Sequence, residues 1–267
     1  MANFSILLAS SEEKTSGGNP FAPDMFDYRS SNTFNYFHEL NPERRRLISL
    51  LQDRIEADDK VADLIGLKGD ALEAAIQTDL ALFDAPLTSA LDRYSPGVLY
   101  SSMNFQALPT GAQRRLLENG VIFSALFGVL RPDDLIPEYY LNMNAKLRGV
   151  KSAKEYWRKA MSPLLNERLA DKVVWNVLPD DLEDAWIDQH TYKEMIRVRF
   201  ARVRKGKRTF QDQNALAGQF VNFVVREAVE DLELVRPWVH PNGYKFHADS
   251  EQFDEATKIR QVIFVKR

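Results

Sequence analysis

The spacing of apolar positions changes along the chain, and the changes mark its elements. Residues 4–9, FSILLA, form a short unbroken apolar run, which predicts a buried first strand. Residues 16–40 mix Gly, Pro, Ser and Asn with aromatics, the composition of an irregular excursion anchored by a few rings. A helical stripe follows. Leu47, Ile48, Leu51 and Ile55 recur at helical spacing, with Asn41 at the capping position and Pro42 at the first helical position. Arg44, Arg45 and Arg46 beside that stripe are expected on the solvated flank. Two shorter helical patterns over residues 61–76 are joined by Gly66-Leu67-Lys68-Gly69. Residues 88–99 read as a loop turning at Pro96-Gly97. Residues 121–124 and 172–178 read as core strands, and residues 155–169 as an amphipathic helix. Residues 195–203 alternate, with Ile196, Val198, Phe200 and Val203 set against Arg197, Arg199, Arg202 and Arg204. Period two predicts a strand with one buried and one cationic face. Residues 214–232 form the last long helix and residues 261–266 a closing strand. Helices and strands intersperse without a regular βαβ rhythm. The expected class is therefore α+β: a single compact mixed domain over residues 1–267, with a helix-hairpin-helix-like element making residues 41–80 a helical subdomain.

Composition narrows the chemistry. The chain has 267 residues, 45% hydrophobic and 27% charged, enough for a sizeable core without staples. It has no cysteine, which removes disulfides, thiolate metal sites and a cysteine nucleophile, and fits a cytoplasmic location. No run approaches the roughly 18 apolar residues of a membrane helix, so no membrane partner is expected. The apolar run near the start is too short for a signal peptide. The net charge of -3 means that any nucleic-acid role must rest on a local basic patch. His38, His190, His240 and His247 show no ligand spacing, and no phosphate-binding or dinucleotide glycine loop and no G-x-S-x-G elbow occurs. No metal and no cofactor are expected.

The glycine turn at residues 66–69 has the form of a helical hairpin that aims backbone N–H groups at a phosphate, because glycine allows close backbone approach. Lys68 would assist; Asp63 and Asp70 oppose it. Gly66, Lys68 and Gly69, with Arg199, Arg202 and Arg204 of the alternating strand, form the candidate nucleic-acid surface. A plain helical hairpin and a solvated sheet face account for the same residues.

Several blocks, in order, resemble the YaaA peroxide-stress protein family. ILLASSEEKT (residues 6–15) is similar to I-L-L-x-P-S-E-x-K-T. YSPGVLY (residues 94–100) is similar to Y-x-G-V-L-Y. Leu130-Arg131-Pro132 with Asp134, Ile136 and Tyr139 parallels a run of the form S-x-L-Y-G-L-L-R-P-x-D-x-I-x-P-Y-R-L. HPNGYKFHADSEQ and the closing VIFVKR echo the family's G-Y-x-F and terminal strand. The resemblance implies a compact α+β fold with a helix-hairpin-helix-like element, residence in the bacterial cytoplasm, a role in limiting oxidative damage and binding to double-stranded DNA.

The chain departs from the pattern where it bears on that role. Tyr140 stands where the family carries an arginine, and Ser10 replaces a proline. The segment QNALAGQFVN (residues 213–222) keeps Ala215 and Gly218, but its cationic positions have become Asn, Ala or Gln. Each lost phosphate contact removes roughly one released counterion, and amides suit a neutral polar ligand better. A second reading follows: an enzyme on the same scaffold acting on a small polar or nucleobase-like molecule. Glu12 or Asp134 would move the proton, and Ser11, Lys14, Tyr100, Arg131, Tyr139, Lys146 and Asn214 would bind the ligand. That reading expects the Arg131 loop and the Ser11-Glu12 turn to meet in one pocket; the bland alternative is an Arg131–Asp134 pair that only fixes its loop.

Overall fold

The computed structural model describes residues 3–19, 36–57, 60–147, 149, 151–211 and 213–267. Most of the irregular excursion lies outside the described residues. The strands are β1 (Phe4–Ala9), β2 (Thr88–Ser89), β3 (Gly120–Ser124), β4 (Gly128–Leu130), β5 (Leu135–Ile136), β6 (Val173–Asn176), β7 (Glu194–Arg204), β8 (Lys207–Phe210), β9 (Lys245–Asp254) and β10 (Ile259–Lys266). The helices are α1 (Asn41–Glu56), α2 (Val61–Ile65), α3 (Asp70–Leu80), α4 (Ala90–Arg93), α5 (Val98–Met103), α6 (Thr110–Asn119), α7 (Ala153–Leu169) and α8 (Gln213–Glu227).

Eight strands make one mixed sheet in the order β4-β3-β1-β6-β7-β10-β9, with β8 pairing the second half of β7. β3, β1, β6, β7 and β10 run parallel, and β4, β8 and β9 are antiparallel additions. A parallel strand covered on both faces needs apolar side chains on both, which is why FSILLA shows no alternation; Phe4 through Leu8 are buried. The whole is a single compact α+β domain with one continuous core, to which α1 contributes Leu47, Ile48, Leu51 and Ile55 and α2 contributes Val61 and Leu64.

From β1 the chain reaches β3 on one side of it, and it later returns to place β6 on the other. The segments leaving β1 and β6 therefore diverge at their carboxyl ends. In parallel sheets that divergence opens a crevice where ligands bind.

Three sequence expectations are corrected here. Arg44 is not on a solvated flank. It is 1% exposed and donates to the Phe127 carbonyl at 3.0 Å, the Val129 carbonyl at 2.8 Å and Asn41 Oδ1 at 2.9 Å. It continues the buried stripe one turn towards the helix start, and carbonyls rather than water satisfy it. Asn41 is the first helical residue, with its side chain committed to Arg44. The last long helix ends at Glu227 rather than at 232, because Ala228 takes a left-handed conformation with φ 52°.

Candidate functional site

At the end of β1, Ser10 N–H extends the pairing to the Phe123 carbonyl at 3.0 Å, and the chain then turns away through Ser11, Glu12 and Lys14. Buried Arg93 holds this segment. Its guanidinium donates to the carbonyls of Thr15, Gly17 (2.8 Å) and Ile136 (3.2 Å), and Thr15 N–H returns a bond to the Arg93 carbonyl at 2.8 Å.

A cavity of about 350 Å³ opens at the carboxyl ends of β1, β3 and β6, within the size range of small-molecule sites. Ser10, Ser11, Glu12 and Lys14 line it after β1, Ala125 after β3, and Pro179, Asp181 and Leu182 after β6. Ile65, Gly66 and Leu67 close one side, and residues 139–144 form the remaining wall. The glycine turn and the loop after the first strand, two separate features of the sequence, border one space.

Lys14 is the cation of this cavity. Its Nζ donates to the Glu12 carbonyl at 3.2 Å and stands 4.6 Å from the centre of the Tyr139 ring and 5.6 Å from that of Tyr140. Burial lowers its pKa from 10.5 to about 8; Asp79, Glu12 and Glu138 pull it upward, and Arg93 pushes it further down. Asp79 on α3 is fully buried. Its Oδ1 accepts from Tyr140 N–H at 2.8 Å, while Oδ2 has no partner among the described residues, and burial holds the carboxyl well above the usual range. Below the cavity, the Tyr139 hydroxyl lies 2.8 Å from both the Tyr94 hydroxyl and Ser124 Oγ. Tyr100 sits deeper, donating to the Ala9 carbonyl at 2.7 Å.

Other sequence candidates lie elsewhere. Arg131 and Asp134 do not line the cavity. Arg131 donates to the Leu117 carbonyl at 3.1 Å, pairs with Asp133 and stacks 3.5 Å from the Tyr36 ring centre. Buried Asp134 accepts from the N–H groups of Arg131 (2.8 Å) and Tyr36 (2.9 Å), so these two residues fix their own loop. Burial raises the Asp134 pKa to about 6, against the pull of Arg44 and those N–H groups. Lys146, Lys68 and Gly69 are exposed. Asn214 borders a second depression with Arg197, Arg199, Asp180 and Phe210; Pro179 is common to both. Arg199 is 5% exposed and bound by Asp180 at 2.8 Å and Glu183 at 2.7 Å, and Arg197 also meets Glu183. The turn after β6 thus neutralises the first half of the cationic strip, leaving Arg202 and Arg204 in the open.

Sequence reasoning missed Asp79, Arg93 and the cavity wall at Asn142. The first two sit in helices whose local pattern marks no function, and only the fold brings them to the Lys14 loop. Tyr140 was visible as a departure, and it proves to be a cavity wall.

The fold and the crevice together define an α+β protein with a polar cavity at the carboxyl ends of its parallel strands. Among the described residues no group of His, Cys, Asp and Glu could hold a metal, and no helix is long and apolar enough to cross a membrane. The family model for the peroxide stress protein YaaA matches residues 4–250, and the chain belongs to that family. A UPF0246 protein of Corynebacterium glutamicum is 32% identical over 196 residues, 73% of this chain and 71% of that protein. An uncharacterized protein of Campylobacter jejuni is 32% identical over 174 residues, 62% of this chain and 66% of that protein. A UPF0246 protein of Streptomyces coelicolor is 30% identical over 129 residues, so the match spans about half of either chain, 48% and 49%.

Proposed function

We propose that this YaaA-family chain binds a small, polar, largely uncharged molecule in the cavity at the ends of β1, β3 and β6, and that Lys14 exchanges a proton with it. The observation that carries this reading is Lys14 itself, an amine in an aromatic-walled crevice whose pKa of about 8 lets it take and give a proton near neutrality. Glu12, on the same wall, is the second candidate for proton transfer. The lining carries charges of both signs, the Lys14 amine and the carboxylates of Glu12 and Asp181, and so offers no single-sign surface for an anion. Tyr140 removes the cation that the family resemblance implies at that position. Ser10, Ser11 and Asn142 offer hydroxyl and amide groups for orientation. Family membership supports a setting of peroxide stress. The chain has no cysteine, so thiol-based peroxide reduction is not the chemistry proposed.

The test is a thermal-shift screen of nucleobases, nucleosides, small amides and sugars. At least one class is expected to raise the midpoint of the wild type and of Asp134→Asn alike, and to lose its effect in Lys14→Met. Uniform failure of all classes, or equal stabilisation of Lys14→Met, overturns the reading.

A second reading, duplex DNA binding, rests on a separate observation. Arg202, Arg204, Lys266 and Arg267 border one shallow depression at the end of the sheet, and exposed Lys205, Lys207 and Arg208 follow in the β7–β8 hairpin. In the turn at Gly66, Lys68 and Gly69, the N–H groups of Leu67, Lys68 and Gly69 have no acceptor among the described residues, as a phosphate grip requires.

A further inference from the structure

We propose that Lys14 is a carbonyl-capturing amine, forming a reversible imine with a small, neutral, hydroxyl-bearing aldehyde or ketone held in the cavity. The inference rests on the reading that this cavity takes a small polar molecule, and adds the ligand's reactive group.

Three features of the geometry point to it. The amine borders open volume, and among the described residues its one hydrogen bond is to the backbone carbonyl of Glu12. Among the described residues no carboxylate lies within ion-pair distance of Nζ, whereas Lys154, for example, meets Asp184 at 2.7 Å. The rings of Tyr139 and Tyr140 flank the amine and limit its hydration, and the Arg93 clamp on Thr15 fixes the backbone from which it projects. Desolvation of a lysine in this way converts it from a solvated cation into a nucleophile. The groups that set its protonation are Asp79 from α3, Glu138 from the loop after β5, Glu12 from its own loop and Arg93 from α4.

The step balances without a redox partner. The nitrogen lone pair attacks the carbonyl carbon, the C–N bond forms, and the carbonyl oxygen takes up a proton while the nitrogen gives one up. The resulting carbinolamine then loses its hydroxyl as water, with a proton from the medium or from Glu12, and the nitrogen loses its second hydrogen as the C=N bond forms. Water addition reverses every step. Ser10, Ser11 and Asn142 are placed on the same walls to receive the ligand's hydroxyl groups.

The experiment is reductive trapping. The folded chain is treated with glycolaldehyde and cyanoborohydride at pH 7.5, and the modified lysines are mapped by peptide mass spectrometry. Lys14 is expected to be labelled about ten-fold or more faster than exposed Lys151, since the crevice holds a carbonyl compound against an amine whose pKa is lowered to about 8, with a rate that climbs through pH 8. In the urea-unfolded chain the preference is expected to vanish. Labelling of Lys14 no faster than Lys151, or a preference that persists after unfolding, overturns the proposal. If trapping fails while polar compounds still stabilise the wild type through Lys14, only the imine falls; if both fail, the cavity reading falls with it.

Discussion

Lys14 and Arg44 are both basic residues withdrawn from water, and the fold treats them in opposite ways. Arg44 has three acceptors, two of them main-chain carbonyls more than eighty residues away. Arg44→Ala removes all three of these buried, charge-assisted hydrogen bonds together with the packing of the side chain, and is expected to cost about 3 kcal/mol or more in urea unfolding. Lys14 has one carbonyl among the described residues and is desolvated by burial, so its charge is a burden on the native state. The sign follows from its lowered pKa. Below pH 8 both folded and unfolded chains carry the proton and the desolvation cost is present in full; between about 8 and 10.5 the folded chain releases its proton first, and the cost fades. The stability of the wild type relative to Lys14→Met is therefore expected to rise across that window, as measured by denaturation at a series of pH values. Ser11, Glu12 and Lys14 were legible as a group because they directly follow an apolar strand. Arg44 was legible in principle, standing four before Ile48 and seven before Leu51. Asp79 was not, because nothing in DALEAAIQTDL distinguishes a buried acid from a solvated one.

Among the elements, the strands with continuous apolar runs were the easiest to read, since β1, β3 and β6 are buried on both faces and have no alternation to confuse. β9 was hidden: it is an edge strand, largely exposed, and its polar sequence KFHADSEQFD carries no period. α4 and α5, of four and six residues, are too short to display a helical repeat, so their stretch read as a loop. The survival of Gly218 amid the altered amide segment has a packing cause. α8 crosses α5 so closely that a Cβ at Gly218 would stand 2.2 Å from the Leu99 carbonyl oxygen. Gly218→Val is expected to destabilise the chain by about 1–3 kcal/mol by forcing the two helices apart, a loss visible as a lowered midpoint in thermal denaturation.

For the molecule as a whole, the distribution of charge matters more than its sum. Alternation along β7 announced four arginines on one face, but only the fold shows that Asp180 and Glu183 take up Arg199 and that Arg202 and Arg204 remain outside. The expected outcome for duplex DNA follows from this division. Any complex seen in gel shifts at low salt should weaken steeply as salt rises, and Arg202→Glu with Arg204→Glu should abolish it. Arg199→Glu would instead place a third acid beside Asp180 and Glu183 and lower stability. Absence of a complex even at low salt removes the second functional reading.

The strand order also governs how the chain comes to be folded. Residues 4–9 lie between residues 120–124 on one side and 173–176 on the other. As the ribosome lengthens the chain, residues 4–9 must wait until residues 120–124 have been made for one neighbour and until residues 173–176 have been made for the other. Pairings so distant in sequence form slowly, and an unpaired apolar strand is prone to stick to others of its kind. Yield from rapid expression should therefore be limited less by the stability of the finished protein than by the time its earliest strand spends without a partner.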